Sequence, residues 1–422
     1  MFEPIQAAER SGLYLTNTLT RKKEPFAPRS GDRRVKIFTC GPSIYSRPHI
    51  GNYRTFLYED LLVRHLDYLG YDVERVINFT DVEDKSVAEA EKKGVSNTEL
   101  TDPNAKRFRE ECDTLRIALP DDIPRSSTSV DQAVHLIRRL IEKGVAYWHE
   151  GDVFYDPLKF PEFGKLYGLD MSRWPKKKVR FRKDTYSGHR WNLGDFILWH
   201  GHKGGDGIYW ETEIGKGRPS WNIQDPAMIT KTLGYEIDIA CGGIDNIYRH
   251  HDYNIAVIEA ISEKPFATYW LHGEHVLVDG KKMSKSKNNE TFLEALLEKC
   301  GSPAHARFFL IYRHYRQQLN LSEKNLSERL DRFDAFRRMA EEIETASGGA
   351  GNGEARPIVA RLVDGFTGHM NDDLDVAGAF DAMHGALADL VALKREGRLS
   401  GEDAQAAMAA IRKIDGVLRI LS

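Results

Sequence analysis

Two short strings, far apart in the chain, carry the residue types best suited to phosphate chemistry. The first is PHIGN at residues 48–52, directly after a short apolar run, VKIFTC, at residues 35–40. A glycine where a strand meets a helix lets a ligand approach the backbone, and the free N–H groups that begin the helix favour phosphate. His49 and Asn52 would add side-chain donors to a triphosphate. Taken alone, the string is equally compatible with a turn that carries a surface histidine.

The second string is KKMSKSKNN at residues 281–289, between an apolar strand (274–278) and a helix that begins near Thr291. A run of charge is usually a solvated basic loop. A loop in which hydroxyl residues alternate with lysines could instead fold over a triphosphate. It would then neutralise the charge that develops as pyrophosphate leaves, which adenylate formation requires.

A strand, a helix and a second strand must position the first string. The apolar run ends in Gly41-Pro42, residues 53–69 carry apolar side chains at helical spacing, and residues 72–79 form another apolar run. This order predicts a βαβ unit and therefore a parallel sheet with helices on both faces. From 145 to 220 aromatic, glycine and basic residues predominate, which indicates an inserted subdomain. From Pro303 onward the pattern is helical except for a glycine-rich stretch.

Length and composition limit the possible classes of protein. The chain has 422 residues, 41% of them hydrophobic and 29% charged, which is typical of a globular protein with two or three domains. Its net charge is -3, so any contact with nucleic acid would need a local basic patch. Four scattered cysteines suit a reducing compartment. We find neither a secretory leader nor an apolar run approaching ~18 residues, and we predict a cytoplasmic, monomeric protein with no membrane contact.

Longer strings resemble the cysteine–tRNA ligase family of class I aminoacyl-tRNA synthetases, from about residue 14 to the end of the chain. HIGN at 49–52 resembles the HIGH signature of that class, and KMSKS at 282–286 is complete. The other matching segments are CGPSIY at 40–45 (family CGPTVY), NFTDVEDK at 78–85 (NITDIDDK), DFILW at 195–199 (DFALW), 215–228 (GxGRPGWHIECSAM) and HYRQQLN at 314–320 (HYRSQLN). Two signatures in this order, on either side of an insertion, make the resemblance specific.

The resemblance implies an α/β fold, in which an insertion divides a Rossmann-type nucleotide-binding domain and a helical bundle follows. The expected divisions are 1–144 (first half of the catalytic domain), 145–215 (inserted subdomain), 216–300 (second half, with KMSKS), 301–345 (helical stem-contact region), 346–355 (glycine-rich linker) and 356–422 (C-terminal helical domain).

The resemblance also implies that ATP, with Mg²⁺, reacts with an amino acid to form an aminoacyl-adenylate and pyrophosphate. The amino-acid carboxylate is already ionised at neutral pH, so the protein need only position the reactants and stabilise charge. The expected catalytic groups are Lys282, Lys285 and His49. The expected ATP-binding residues are His49, Gly51, Asn52, Gly242, Gly243, Asp245, Lys282, Ser284, Lys285 and Ser286. Asp245 would accept a hydrogen bond from the ribose.

The amino-acid pocket departs from the family pattern. Its expected residues are Cys40, Gly41, Thr80, Trp221, Asp225, His250 and Asn254. In the family, zinc binds the substrate thiolate and so rejects serine. The four ligand positions here hold Cys40, Asp225 in place of a cysteine, His250, and Asn254 in place of a glutamate. Cys40, Asp225 and His250 could still form a three-ligand site, but the two changes predict that zinc is lost or weakly bound. A hydrogen-bonding pocket of Asp225, Asn254 and Asn222 would prefer a polar or cationic side chain.

Three kinds of acceptor or role remain open. The chain ends near the point where the family continues into an anticodon-reading module, as do the mycothiol-pathway cysteine ligases, which favours a small amine or carrier as acceptor. Transfer to the acceptor end of tRNA is favoured by the basic stretch KKKVRFRK at 176–183, although such a stretch is as often a solvated loop. A catalytically silent regulator that binds nucleotide or tRNA is a third possibility, against which the complete KMSKS string argues.

Overall fold

The computed structural model describes residues 12–173, 194–205, 207–283, 289–346 and 353–421. The strands are β1 (Tyr14–Asn17), β2 (Lys22–Pro25), β3 (Arg34–Thr39), β4 (Asp72–Ile77), β5 (Ala146–His149), β6 (Asp152–Tyr155), β7 (Phe196–Gly201), β8 (Trp210–Thr212), β9 (Gly215–Pro219), β10 (Ile237–Gly243), β11 (Ala267–Gly273), β12 (Val276–Val278), β13 (Lys281–Lys282) and β14 (Leu319–Leu321). The α-helices are α1 (Ile50–Tyr68), α2 (Asp84–Lys93), α3 (Asn97–Thr114), α4 (Val130–Glu142), α5 (Trp221–Thr232), α6 (Asp252–Ser262), α7 (Leu293–Cys300), α8 (Pro303–Ile311), α9 (Glu323–Glu344), α10 (Ala355–Asn371), α11 (Val376–Arg395) and α12 (Gly401–Leu418).

A parallel sheet in the order β11-β10-β3-β4 forms the centre of the molecule. Helix α1 joins β3 to β4, as the βαβ pattern predicts, and Gly70 ends the helical segment with a φ of 85° that favours glycine. The inner strands are buried almost throughout because helices cover both faces of the sheet. The carboxyl ends of β3 and β10 therefore meet at one edge, where ligands bind in such sheets.

An antiparallel sheet in the order β5-β6-β7-β9-β8 is inserted between the two halves of the parallel sheet. Its inner face packs against α4, α5 and α6 in a separate hydrophobic cluster that includes Tyr155, Phe196 and Trp199. Stacking of Phe196 on Tyr253, with ring centroids 4.0 Å apart, joins the insertion to the helix that follows the end of β10. The insertion thus forms one wall beside the edge where β3 and β10 end.

Helices α9 to α12 form a C-terminal bundle whose core is continuous with that of the parallel sheet. The link between them is the fully buried ion pair of Arg307 on α8 with Asp60 on α1 (2.7 Å); Arg307 Nε also donates to the carbonyl of Leu418. Among the described residues, α11 alone has the length and apolar composition of a membrane span, and Phe380 and Leu387 on it are buried in the bundle core. The observed architecture confirms the predicted fold class, and the division boundaries stay predictions.

Candidate active site

A cavity of about 400 Å³ opens at the carboxyl ends of β3 and β10. Cys40 and Gly41 lie at one end of its wall, and His49, Asn52 and Lys282 line another part of it. Residues from both signature strings, more than 220 positions apart in the chain, therefore face one space. We call the part near His49 and Lys282 the nucleotide end, and the part near Cys40 the amino-acid end.

At the nucleotide end, the first string begins helix α1. His49 is the N-cap residue, and its backbone N–H donates to Oδ1 of Asn52 at 3.0 Å. A Cβ on Gly51 would lie 2.9 Å from the His49 ring, so only glycine leaves that ring in place. The structure thus brings His49, Gly51 and Asn52 to the cavity as predicted, and it shows that the Asn52 oxygen closes the first turn of the helix.

The second string contributes Lys282 from β13 to the same end. Lys282 Nζ lies 3.0 and 2.9 Å from the two carboxylate oxygens of Asp245, and His275 Nε2 lies 3.3 Å from one of them. His275 first, and then Lys282, lower the pKa of Asp245 to about 2. Asp245 is therefore ionised at neutral pH and holds the lysine at the cavity. The predicted residues Ser284, Lys285 and Ser286 lie outside the described residues.

The two glycines at the end of β10 have different surroundings. Gly243 lines the cavity, and its N–H donates to Asn246 Oδ1 at 3.0 Å. Gly242, predicted to contact ATP, lies deeper: its N–H donates to the Tyr58 hydroxyl, and a Cβ there would lie 2.8 Å from the His251 ring. Cys241 is fully buried in the core, in agreement with the reading of it as an inert side chain.

Arg54 on α1 holds the strand that leads to the second string. This buried guanidinium donates to the carbonyl oxygens of Glu274 (2.7 Å) and Gln317 (2.6 Å), among others. Glu274 immediately precedes β12, and Gln317 precedes β14, which pairs with β12. The helix that begins with the first string therefore also positions the strand pair that carries Lys282.

At the amino-acid end, three predicted side chains converge. Cys40 Sγ lies 3.3 Å from His250 Nε2 and 3.8 Å from Asp225 Oδ2, and the same His250 nitrogen lies 2.7 Å from that oxygen. Trp221 stacks on the His250 ring at 5.5 Å between centroids and fixes its plane. Asn78, which no sequence argument singled out, donates to Asp225 Oδ1 at 2.8 Å. Both oxygens of the Asp225 carboxylate are thus engaged.

Burial and charge decide the protonation of this group. Burial alone would lower the pKa of His250, but the neighbouring Asp225 and Cys40 raise that pKa well above 6.5. Burial raises the pKa of the Cys40 thiol, and His250 only partly opposes this. The arrangement is therefore an imidazolium–carboxylate pair beside a neutral thiol.

The remaining predicted pocket residues lie behind this group. Thr80 pairs with the segment after β3, where its backbone N–H donates to the Pro42 carbonyl. Asn254 is buried, and its Nδ2 has no hydrogen-bond partner among the described residues. Asn222 donates to the Ile197 carbonyl from its amide nitrogen. The cavity reaches the amino-acid end at Cys40 and Gly41 but not at Thr80 or Asn254.

Sequence reasoning missed a buried chain of hydrogen bonds that begins beside this group. His251 Nδ1 lies 2.8 Å from His272 Nε2, and His272 Nδ1 lies 2.9 Å from the Thr18 hydroxyl. Burial, followed by the charges of His272 and His250, lowers the pKa of His251 well below 6.5. The only sequence signal for His251 was its position next to His250.

The comparisons with known proteins agree with this geometry. The model of the family "tRNA synthetases class I (C) catalytic domain" matches residues 26–331. The cysteine–tRNA ligase of Chlamydia pneumoniae is 39% identical over 97% of this chain and 86% of its own length. That of Brevibacillus brevis is 36% identical over 87% of this chain and 79% of its own length. The chain belongs to the cysteine–tRNA ligase family of class I aminoacyl-tRNA synthetases. As a member, it is an adenylate-forming ligase.

Solved structures of other class I synthetases share the fold. A methionyl-tRNA synthetase of Mycobacterium tuberculosis, bound by methionyl-adenylate, has a TM-score of 0.66 at 16% identity and covers 92% of this chain and 90% of its own. A LeuRS of Agrobacterium radiobacter K84, in a ternary complex, has a TM-score of 0.64 at 11% identity over 94% of this chain and 85% of its own. At these identities the likeness supports the fold alone.

Members of the family use ATP with Mg²⁺ and bind zinc, and the donor atoms at the amino-acid end fit zinc. Sulfur, nitrogen and oxygen are all zinc ligands, and a tetrahedral ion would hold such atoms about 3.5 Å apart. The separations of 3.3, 3.8 and 2.7 Å among Cys40, His250 and Asp225 are close to that spacing. The ligand atoms of Cys40, His250 and His251 also lie within 4.8 Å of one another. The expectation that zinc is lost or weakly bound stays a prediction.

Proposed function

We propose that this ligase activates cysteine as its adenylate and transfers it to the 3′ end of a tRNA. The observation that carries the proposal is the single cavity that joins His49, Asn52 and Lys282 to Cys40. One end offers phosphate-binding groups, and the other offers a group of donors that suits a sulfur-containing side chain. An amino acid and ATP that occupy the two ends would meet at the carboxyl edge of β3 and β10.

At the nucleotide end, the triphosphate would lie against the start of α1, where free backbone N–H groups and His49 favour negative charge. ATP arrives with Mg²⁺, whose charge offsets part of that of the phosphates. Lys282 would exchange its contact with Asp245 for the phosphates, and Asp245 would then be free to accept a hydrogen bond from the ribose. The exchange costs little because the Lys282–Asp245 pair is largely exposed.

The reaction itself needs positioning more than proton transfer. An oxygen of the amino-acid carboxylate forms a bond to the α-phosphorus of ATP as the bond from that phosphorus to the bridging oxygen breaks, and the electron pair leaves with pyrophosphate. The carboxylate is already ionised, so no base on the protein is needed. Lys282 stabilises the charge that develops on the phosphates in this step.

At the amino-acid end, Cys40, Asp225 and His250 would hold zinc, which favours a thiolate over a hydroxyl group. Trp221 and Asn78 keep the His250 ring and the Asp225 carboxylate in place. A cationic side chain fits less well than the sequence suggested, because the Asp225 charge is already matched by His250. A polar, uncharged amino acid is the alternative substrate.

The proposal of a tRNA acceptor follows the relatives, which are cysteine–tRNA ligases at up to 39% identity. The preference for a small amine or carrier stays a prediction, as do the monomeric state and the cytoplasmic location. The basic stretch 176–183, predicted to contact an RNA end, lies outside the described residues.

Amino-acid-dependent exchange between ATP and pyrophosphate, measured for all twenty amino acids, tests the first half of the proposal. We expect cysteine to drive exchange. A panel in which another amino acid drives exchange and cysteine does not would overturn the choice of substrate. Incubation of the activated enzyme with total tRNA, and separately with small primary amines, tests the second half. Label that reaches only the amines would overturn the tRNA acceptor.

A further inference from the structure

His251 has an unusual environment for a histidine that the proposed function leaves without a role. Its side chain is fully buried at the end of the segment that carries His250. Nδ1 is used in the hydrogen bond to His272, and His272 in turn bonds to Thr18. Nε2 is buried as well, and among the described residues it has no hydrogen-bond partner. Buried polar groups are nearly always satisfied, so this nitrogen requires an explanation.

The unpartnered nitrogen faces the amino-acid end of the site. A Cβ on Gly242, at the carboxyl end of β10, would lie 3.2 Å from His251 Nε2. The neighbouring Cys241 accepts the backbone hydrogen bond of Cys40, so the thiol that follows β3 is close by. Ligand atoms of Cys40, His250 and His251 all lie within 4.8 Å of one another.

We infer that His251 is a metal ligand in this chain, joining Cys40 and His250. It would provide a donor that the chain lacks at position 254, where an asparagine stands. The inference rests on the proposed function only in its choice of zinc as the metal. It differs from the set predicted from the sequence, which took its ligands from Cys40, Asp225 and His250 and gave His251 no part.

The hydrogen bonds around His251 are those of a metal-binding imidazole. Such a ring binds the ion through one nitrogen and donates the N–H of the other to a second group, which fixes its tautomer and orientation. His272, itself held by Thr18, is that second group here. A thiolate with two imidazoles is a donor set that suits zinc, and Asp225 Oδ2 lies beside the Cys40–His250 pair as a further oxygen donor.

Asn254 does not serve in this way. Its amide nitrogen is buried without a partner among the described residues, and an amide nitrogen has no lone pair available for a metal. Asn254 is therefore the matched control for His251, because it is equally buried and occupies the position of the family's fourth ligand.

The test is metal binding by the full chain, with zinc content measured by elemental analysis and Co²⁺ bound in place of zinc as a spectroscopic probe. We expect about one zinc per wild-type chain and a thiolate-to-cobalt absorption band that Cys40→Ser abolishes. His251→Ala should lower the affinity for zinc by at least on the order of 100-fold, and His272→Ala by about 10–100-fold. Asn254→Ala should retain the zinc content of the wild type.

His251→Gln, which keeps the size of the side chain, replaces His251→Ala if circular dichroism shows that the alanine variant does not fold. A wild-type chain that binds neither zinc nor Co²⁺ overturns the inference, as does a folded His251 variant with undiminished zinc affinity. Metal binding and pyrophosphate exchange separate the two proposals. Stoichiometric zinc without exchange overturns the proposed function alone, and exchange without bound metal overturns the metal site alone.

Discussion

The two ends of the cavity each contain an ion pair, and the pairs differ in burial. At the nucleotide end, the side chains of Lys282 and Asp245 are 46% and 68% exposed. At the amino-acid end, those of His250 and Asp225 are 20% and 2% exposed. An exposed pair contributes about 0–1 kcal/mol and can be exchanged for a ligand, whereas breaking a buried pair costs about 3–5 kcal/mol. The nucleotide end is thus arranged to change partners, and the amino-acid end to keep them.

The largest expected effect separates the catalytic role of the nucleotide end from its contribution to stability. Replacing Lys282 by alanine should lower the rate of amino-acid-dependent pyrophosphate exchange by about 10²–10³-fold, because a charge aimed at the developing phosphate charge is lost. The melting temperature should hardly change. Lys281→Ala, which removes the exposed neighbouring lysine of β13, is the control and should keep the wild-type rate. A Lys282 variant as active as the control would contradict the assignment.

Stability should respond in the opposite way at the two ends. Asp225→Ala leaves the buried His250 and Asn78 without their partner and should lower the free energy of unfolding by about 3 kcal/mol. Asp245→Ala removes an exposed partner and should lower it by less than about 1 kcal/mol. Urea unfolding of both variants measures the difference. Equal losses would show that burial does not distinguish the two ends.

Two neighbouring glycines allow the same comparison with the smallest chemical change. A methyl group at residue 242 would lie 2.8 Å from the His251 ring, whereas one at residue 243 would lie 3.3 Å from Asn246 Oδ1. Gly242→Ala should cost about 1–3 kcal/mol by overpacking and should reduce the bound zinc. Gly243→Ala should cost less and leave the zinc content unchanged. Thermal unfolding and elemental analysis of the two variants test this, and the reverse order would contradict it.

The smallest expected effect is a pH dependence that originates under the sheet. Burial raises the pKa of Glu59 on α1 to about 8, although Arg75, 3.6 Å away, opposes the shift. The folded state therefore keeps a proton that the unfolded state loses above its pKa of 4.5. Stability should fall as the pH rises from about 4.5 to about 8.

Glu59→Gln tests this dependence because the amide cannot ionise. Its stability should match that of the wild type near pH 5 and exceed it by about 1–2 kcal/mol at pH 8. Denaturant unfolding between pH 5 and pH 8 provides the measurement. A wild type and a variant with parallel curves would show that Glu59 does not titrate in this range.

Local pattern was sufficient to predict most of the nucleotide end. Residues 48–52 lie between a strand and a helix that adjoin them in the chain, so the strand–loop–helix turn determines where His49 and Gly51 lie. The predicted helix began at residue 53, and α1 begins at Ile50, since the first string itself forms its first turn. The position of Lys282 beside Asp245 was not predicted, because it depends on how β12 pairs with β14 and how Arg54 holds both.

By itself, the sequence determined the family, the parallel sheet and the residue types present at both ends of the cavity. Short-range periodicity and the two signature strings are enough for these, since each depends on neighbours within one or two elements. Only the tertiary structure decided how the amino-acid end is arranged. Asn78 and Asp225 are 147 positions apart, and they meet because β4 and α5 both end at one edge of the packed molecule. The orientation of His251 toward Cys40 depends in the same way on His272 and Thr18, two distant residues whose contacts exist only once the sheet has formed.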